Sequence, residues 1–155
     1  MKKSVFILTI SLVFILQACS WREYFVITNQ TSERITIEYE VNSPSSGIPI
    51  FDQHPSGYQL DAANDIDWKK PLELLDHDAA SISFKIVLEP NHALVIGYLS
   101  NDHYEKRNQY FINGRSFNLK KLVVQNKKAK VEISPENFDE HFFKEDQKIM
   151  LRIKK

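Results

Sequence analysis

Apolar and polar side chains alternate along most of this chain with a period of two, the signature of half-buried strands. Ile35, Ile37, Tyr39 and Val41 alternate with Thr36, Glu38 and Glu40. Phe25 and Ile27 lie just upstream, and Asn29-Gln30-Thr31-Ser32 between the two segments reads as a turn. Ile82, Phe84, Ile86 and Leu88 repeat the rhythm around Ser83 and Lys85. Beyond Glu89-Pro90-Asn91, the run Ala93-Leu94-Val95-Ile96-Gly97-Tyr98-Leu99 is apolar on both faces, which predicts a central strand. Leu122 and Val124 face Ala129, Val131 and Ile133 across Asn126-Lys127-Lys128, a predicted hairpin. Ile149, Leu151 and Ile153 make a last alternating strand.

Asn113-Gly114 stands between Tyr110-Phe111-Ile112 and Arg115-Ser116-Phe117, and this dipeptide accepts the positive φ of a type I′ turn. Helical signals are few. Ser134-Pro135 offers an N-cap followed by proline at the first helical position. Glu136, Asp139 and Glu140 suit the positive end of a helix dipole, and Lys144 suits the other end. Phe138 and Phe142, four apart, would bury one face, so a short helix is predicted near the C-terminus. A further helical turn is expected between Asn101 and Asn108. Seven or eight short strands with turns between them predict an antiparallel β-sandwich, with a partly closed β-barrel as the alternative.

The pattern lapses over residues 42–81, where Ile48, Ile50 and Phe51 leave room for a short edge strand. Loops longer than about 12–15 residues are uncommon in compact domains and are often functional. This segment concentrates acids: Asp52, Asp61, Asp65, Asp67, Glu73, Asp76 and Asp78 stand against Lys69 and Lys70. It also holds Tyr58 and Trp68, aromatics of the kind that anchor partners or stack on sugars. Tyr58, Asp65, Asp67 and Trp68 are therefore the candidate binding residues.

Other chemistries lack their residues. Zinc needs three or four ligands at close spacing, but His54, His77, His92, His103 and His141 form no HxH or HxxxH pair. Asp61-Ala62-Ala63-Asn64-Asp65 lacks the glycine and order of a calcium loop. Asp76-His77-Asp78 alone is too few ligands, so no metal site is expected. There is no Gly-x-Ser-x-Gly elbow, and single glycines at 47, 57, 97 and 114 cradle no phosphate. No catalytic residue is assigned. Twenty acids always supply pairs for glycoside hydrolysis, and the sequence selects none of them.

The first twenty residues carry a different message. Lys2 and Lys3 precede an apolar run from Val5 to Leu16, which is shorter than the roughly 20 residues needed to span a bilayer. Small Ala18 then precedes Cys19, the only cysteine. This order is that of a secretory signal peptide. Leu16-Gln17-Ala18-Cys19 resembles the lipobox of bacterial lipoproteins. The resemblance implies cleavage between Ala18 and Cys19, with a diacylglycerol thioether and an N-acyl chain on Cys19 and no other cofactor. Acylation would also remove a lone thiol from an oxidising compartment.

In lipoproteins of double-membraned bacteria an aspartate after the cysteine retains the protein in the inner membrane. Ser20 there implies the outer membrane, and Trp21-Arg22-Glu23-Tyr24, not being an acidic cluster, implies its periplasmic face. The strand rhythm over 24–153 is similar to that of immunoglobulin-like domains of small lipoproteins. The expected division is a signal peptide over 1–18, a lipidated tether over 19–23 and a β-sandwich over 24–155. Trp21 is expected at the lipid headgroups.

Removing residues 1–18 takes away Lys2 and Lys3 and no acid, leaving two more acids than bases. That balance argues against nucleic acid as a partner. The expected function is a lipid-anchored envelope binding module, accessory to a membrane assembly through a protein partner. A carbohydrate-binding protein or hydrolase using 42–81 is the first alternative. Ser56-Gly57-Tyr58, read as a turn, resembles a short Ser-Gly motif of periplasmic lysozyme inhibitors, which makes hydrolase inhibition the second. Those inhibitors commonly carry disulfides that this chain cannot form.

Overall fold

The computed structural model describes residues 20–43, 47–73 and 82–154. The signal segment, Cys19 and Asp76-His77-Asp78 lie outside them. The chain is mainly β, with two facing sheets, a two-stranded ribbon and one short helix near the C-terminus. The strands are β1 (Arg22–Asn29), β2 (Ile35–Val41), β3 (Ile48–Pro49), β4 (Phe51–Leu60), β5 (Ile66–Leu72) and β6 (Ser83–Leu88). They continue as β7 (His92–Ser100), β8 (Arg115–Ser116), β9 (Leu119–Gln125), β10 (Lys130–Ile133), β11 (Phe143–Glu145) and β12 (Lys148–Ile153). The larger sheet has the order β11-β12-β1-β7-β4-β5, the smaller β10-β9-β2-β6, and β3 pairs with β8 alone. Neither sheet closes on itself, so the architecture is a sandwich and not a barrel.

Alternation places the core between the sheets. Phe25 and Ile27 of β1, with Leu94 and Ile96 of β7, point inward from the larger sheet. Ile35, Ile37, Tyr39 and Val41 of β2 meet them from the smaller. The turn after Asn29 therefore carries the chain from one sheet to the other. Asn29 is fully buried. Its Oδ1 accepts from Thr31 N–H and its Nδ2 donates to Leu88 O at 3.0 Å, which ties this crossover to the end of β6.

The predicted central strand is β7, flanked by β1 and β4, and the predicted hairpin is β9–β10 with Val131 opposite Val124. Ser134 caps a 3-10 turn over Pro135–Asn137 that leads into helix α1 (Phe138–His141). Phe138 and Phe142 both enter the core, their rings stacked 4.2 Å apart.

Several expectations are corrected. Residues 42–81 are not a long loop, since β3, β4 and β5 lie within them. Ser56-Gly57-Tyr58 is strand, paired with Val95, Leu94 and Ala93, and not a turn. No helix forms over 101–108; side-chain hydrogen bonds order that stretch instead. The Asn113-Gly114 hairpin is also absent. Gly114 has a φ of 61° but Asn113 is not in the left-handed region, and β8 pairs parallel with β3. Strand β1 begins at Arg22, inside the expected tether. The sheets are not purely antiparallel, because β1 and β12 run parallel, Tyr24 beside Lys148 and Asn29 beside Ile153.

One irregularity links the two sheets. Between β4 and β7 the register jumps from Phe51 opposite Gly97 to Ser56 opposite Val95, so residues 52–55 bulge out of the ladder. Tyr39, reaching across from β2, places its hydroxyl 2.9 Å from Asp52 O and 3.2 Å from Ile96 O. Gly97 is needed beside the bulge because a Cβ there would collide with the Ile50 carbonyl and the Phe51 Cα. Tyr39→Phe keeps the ring and removes the hydroxyl that bridges the two sheets. It should lower stability by about 1–3 kcal/mol, read as a reduced urea midpoint with an unchanged slope.

Candidate functional site

The larger sheet carries a second, smaller apolar cluster on its outer face, made of Val26, Ile66, Ala93, Val95 and Met150. Adjacent strands lie about 4.8 Å apart, so in a flat sheet β5 would be nearly 20 Å from β12. Yet Asp65, just before β5, bonds through both carboxylate oxygens to Lys148 of β12 at 2.7 and 2.8 Å. The β4–β5 hairpin therefore curls over the outer face. A register shift between Tyr58 and Gln59 permits the bend.

The curl sets Trp68 onto the sheet. Its ring centroid lies 4.8 Å from Tyr24 of β1 and 5.1 Å from Tyr58 of β4, the latter edge-to-face. Tyr98 of β7 extends the row, 6.5 Å from Tyr24, with Arg22 and Arg115 both over its ring. An open groove runs between Trp68 and the β11–β12 turn, lined by Tyr24, Trp68, Asp146, Gln147 and Lys148. Trp68 remains 45% exposed at its edge.

Of the residues singled out in the sequence, Tyr58, Asp65 and Trp68 are brought together here. Asp67 is not. Its carboxylate takes the Lys69 N–H at 3.1 Å and pairs with Lys70, and these contacts hold it below the usual range. Asp65 is held down as well, first by its hydrogen bond to Lys148. The Lys148 side chain is only 16% exposed, its stem lying along the sheet while its ammonium meets Asp65 at the surface. Tyr24, Tyr98, Gln147 and Lys148 complete the surface, and the pairings of β1 with β7 and with β12 bring them together.

A second groove, on the other side of β4, is lined by Asn42, Pro49, Asp52, His54 and Asn118. Burial pushes the Asp52 carboxyl up, against the pull of Arg115 and His54. Its described lining holds no second carboxylate for acid–base hydrolysis. Among the described residues no three His, Asp or Glu side chains gather as a metal site.

The chain matches no family model, no curated protein and no solved structure.

The end of the sandwich where β1 begins holds a buried polar network with no signal in the sequence. Glu23 is 2% exposed. Its Oε1 meets Lys144 Nζ at 2.6 Å and His103 Nδ1 at 2.8 Å, and its Oε2 accepts the Tyr104 N–H at 2.8 Å. The Tyr104 hydroxyl donates to Asp139 at 2.5 Å, and burial with that contact pushes the phenol well up. Burial alone would raise the Glu23 carboxyl, but Lys144, the Tyr104 N–H and His103 outweigh it and hold the group below its ordinary value.

A carboxyl depressed in the folded state adds stability that is complete above its unfolded value, near pH 4.3 for glutamate. That stability is lost as pH falls through the lower folded value. Wild-type protein should therefore weaken in acid below about pH 4.3. Glu23→Gln should lose about 1–3 kcal/mol at neutral pH and weaken less on acidification. Urea unfolding of both proteins across that range checks the difference, and parallel curves would remove Glu23 as its source.

Proposed function

We propose that this chain is a lipid-anchored binding module of a bacterial cell envelope, held by acyl chains on Cys19 at the periplasmic face of an outer membrane. In this reading it recognises an envelope protein through the aromatic surface around Trp68 and serves as an accessory part of a membrane assembly. The observation that carries the recognition surface is the state of Trp68, fixed against Tyr24 and Tyr58 but 45% exposed. A pre-set aromatic ring loses little conformational freedom on binding, and such residues dominate interface energetics. The anchor is supported by Leu16-Gln17-Ala18-Cys19 behind Lys2, Lys3 and the apolar run, and by the exposure of the adjoining Ser20. Each buried methylene contributes about 0.8 kcal/mol, and stable attachment takes two chains or more.

A glycan is the second reading. The groove beside Trp68 has an aromatic wall and the polar side chains of Asp146, Gln147 and Lys148 at its rim, the pairing of surfaces that a sugar ring presents in reverse. Hydrolysis draws less support, since Asp52 has no partner carboxylate among the described residues of its groove.

Two substitutions test the proposal. Cys19→Ala should move the protein from the membrane to the soluble fraction, and unchanged fractionation would end the lipoprotein reading. Trp68→Ala, in lipidated protein crosslinked within intact cells, should abolish a reproducible protein adduct while the domain stays folded. The expected loss is about 2 kcal/mol or more of binding. An adduct that survives the substitution would move the interface elsewhere. Quenching of Trp68 emission by soluble envelope glycans, without any adduct, would favour the second reading.

A further inference from the structure

Beside the tether, loop 101–114 holds large apolar side chains out into solvent on a backbone that is well tied down. Tyr110 is 88% exposed and Ile112 is 67% exposed, while Phe111 between them is 6% exposed and belongs to the core. The loop does not merely fray outward. Buried Asp102 accepts the Ile112 N–H at 2.8 Å, and Gln109 accepts the Glu105 and Lys106 N–H groups. Asn113 Nδ2 donates to Ser100 O, closing the loop onto the end of β7. Holding two large apolar groups in water by so many specific bonds calls for something to cover them.

The same loop is fastened to the first described residues. Asn101 and Trp21 exchange hydrogen bonds, Asn101 N–H to Trp21 O at 3.0 Å and Trp21 N–H to Asn101 Oδ1 at 3.2 Å. Trp21 stacks on His103 with ring centroids 4.1 Å apart. Ile48, 54% exposed, is held beside the end of the loop by its N–H bond to Gly114 O at 3.0 Å. Arg22, next to Trp21 with its guanidinium over the Tyr98 ring, and Lys106, within the loop, are exposed.

We propose that this end of the domain is a bilayer-docking face, with Trp21, Ile48, Tyr110 and Ile112 entering the interfacial region and Arg22 and Lys106 meeting anionic headgroups. The inference rests on the lipid-anchor reading of Cys19. The occupant follows from where the chain leads. Only Ser20 separates Cys19 from Trp21, a reach of roughly 7 Å in extended chain. An acylated Cys19 thus brings this patch close to the headgroups. Tyrosine and tryptophan favour that layer, and basic residues at its edge add electrostatic attraction. The acyl chains would hold the domain, and the face would orient it. Glu23, with Lys144, His103 and Tyr104, is what keeps the loop and the tether end in one rigid unit.

The test uses the full, lipidated chain carrying Ile112→Cys, whose new thiol is the only free one once Cys19 is acylated. An environment-sensitive fluorophore is attached there, and the protein is reconstituted in vesicles of equal parts phosphatidylethanolamine and phosphatidylglycerol. Arg34→Cys, at the far end of the sandwich, is the control, and Tyr110→Cys is the second site should Ile112→Cys fail to fold. Lipid-borne quencher should reduce emission several-fold more at 112 or 110 than at 34, with Cys19 acylation established by mass spectrometry. Equal quenching at the two ends of an acylated protein would overturn the docking face and leave the anchor standing. Absence of acylation would overturn the anchor and the docking face with it. A label that is water-exposed on vesicles but protected in intact envelopes would assign the face to a protein and overturn the lipid assignment.

Discussion

A single carboxylate sets the geometry of the end of the molecule where β1 begins. Glu23 enters the protein at the start of β1 with almost no contact to water, and it can stay ionised there only because three donors surround it. Those donors come from two distant parts of the chain. His103 and Tyr104 open the long loop after β7, and Lys144 belongs to the edge strand β11. Removing one partner from a buried charge is far more damaging than never having buried it. The arrangement therefore works as a lock, in which the entry of the chain, the loop and the sheet edge hold one position together. A hydrophobic contact could not impose such specific distances.

The larger sheet shows a different economy of means. Six strands give it two broad faces, and only one can face the smaller sheet. The outer face retains Val26, Val95 and Met150 nevertheless. Curling the β4–β5 hairpin back over them buries the cluster without adding another layer. Asp65 clasps Lys148 to fix the hairpin tip, and the aromatic row is what the hairpin's rim leaves uncovered. The groove beside Trp68 is thus a product of how the sheet covers itself, and its shape depends on a surface ion pair.

How far the sequence disclosed this depends on which force orders each segment. Strands β2 and β6 were legible because each buries alternate residues against the core, and β7 because it is apolar on both faces. Strand β4 was not, since its bulge over 52–55 breaks the period and puts Pro55 and Gly57 where a strand would not be sought. Strand β5 buries Ile66 alone, then exposes Trp68, Lys69 and Lys70. Its apolar partners are on other strands, so no local pattern could mark it. Loop 101–114 is ordered by Asp102, Gln109 and Glu23, side chains that look in sequence like ordinary solvated residues. For the same reason Tyr58, Asp65 and Trp68 could be chosen by type, whereas Tyr24 and Lys148 became neighbours only through the β1–β12 register.

That register has a kinetic side. Strand β12 lies beside β1, parallel to it, so the first strand described has its place in the larger sheet completed by the last. Every residue between them must be available before the pair can close, and contacts so remote in sequence form late and slowly. A chain delivered from its N-terminus would keep Phe25 and Ile27 without their full setting until residues 148–153 arrived. The topology thus acts as a timer: the sandwich cannot set hard while only part of it has emerged, and a polypeptide destined to be threaded somewhere before folding gains an interval in which to be threaded.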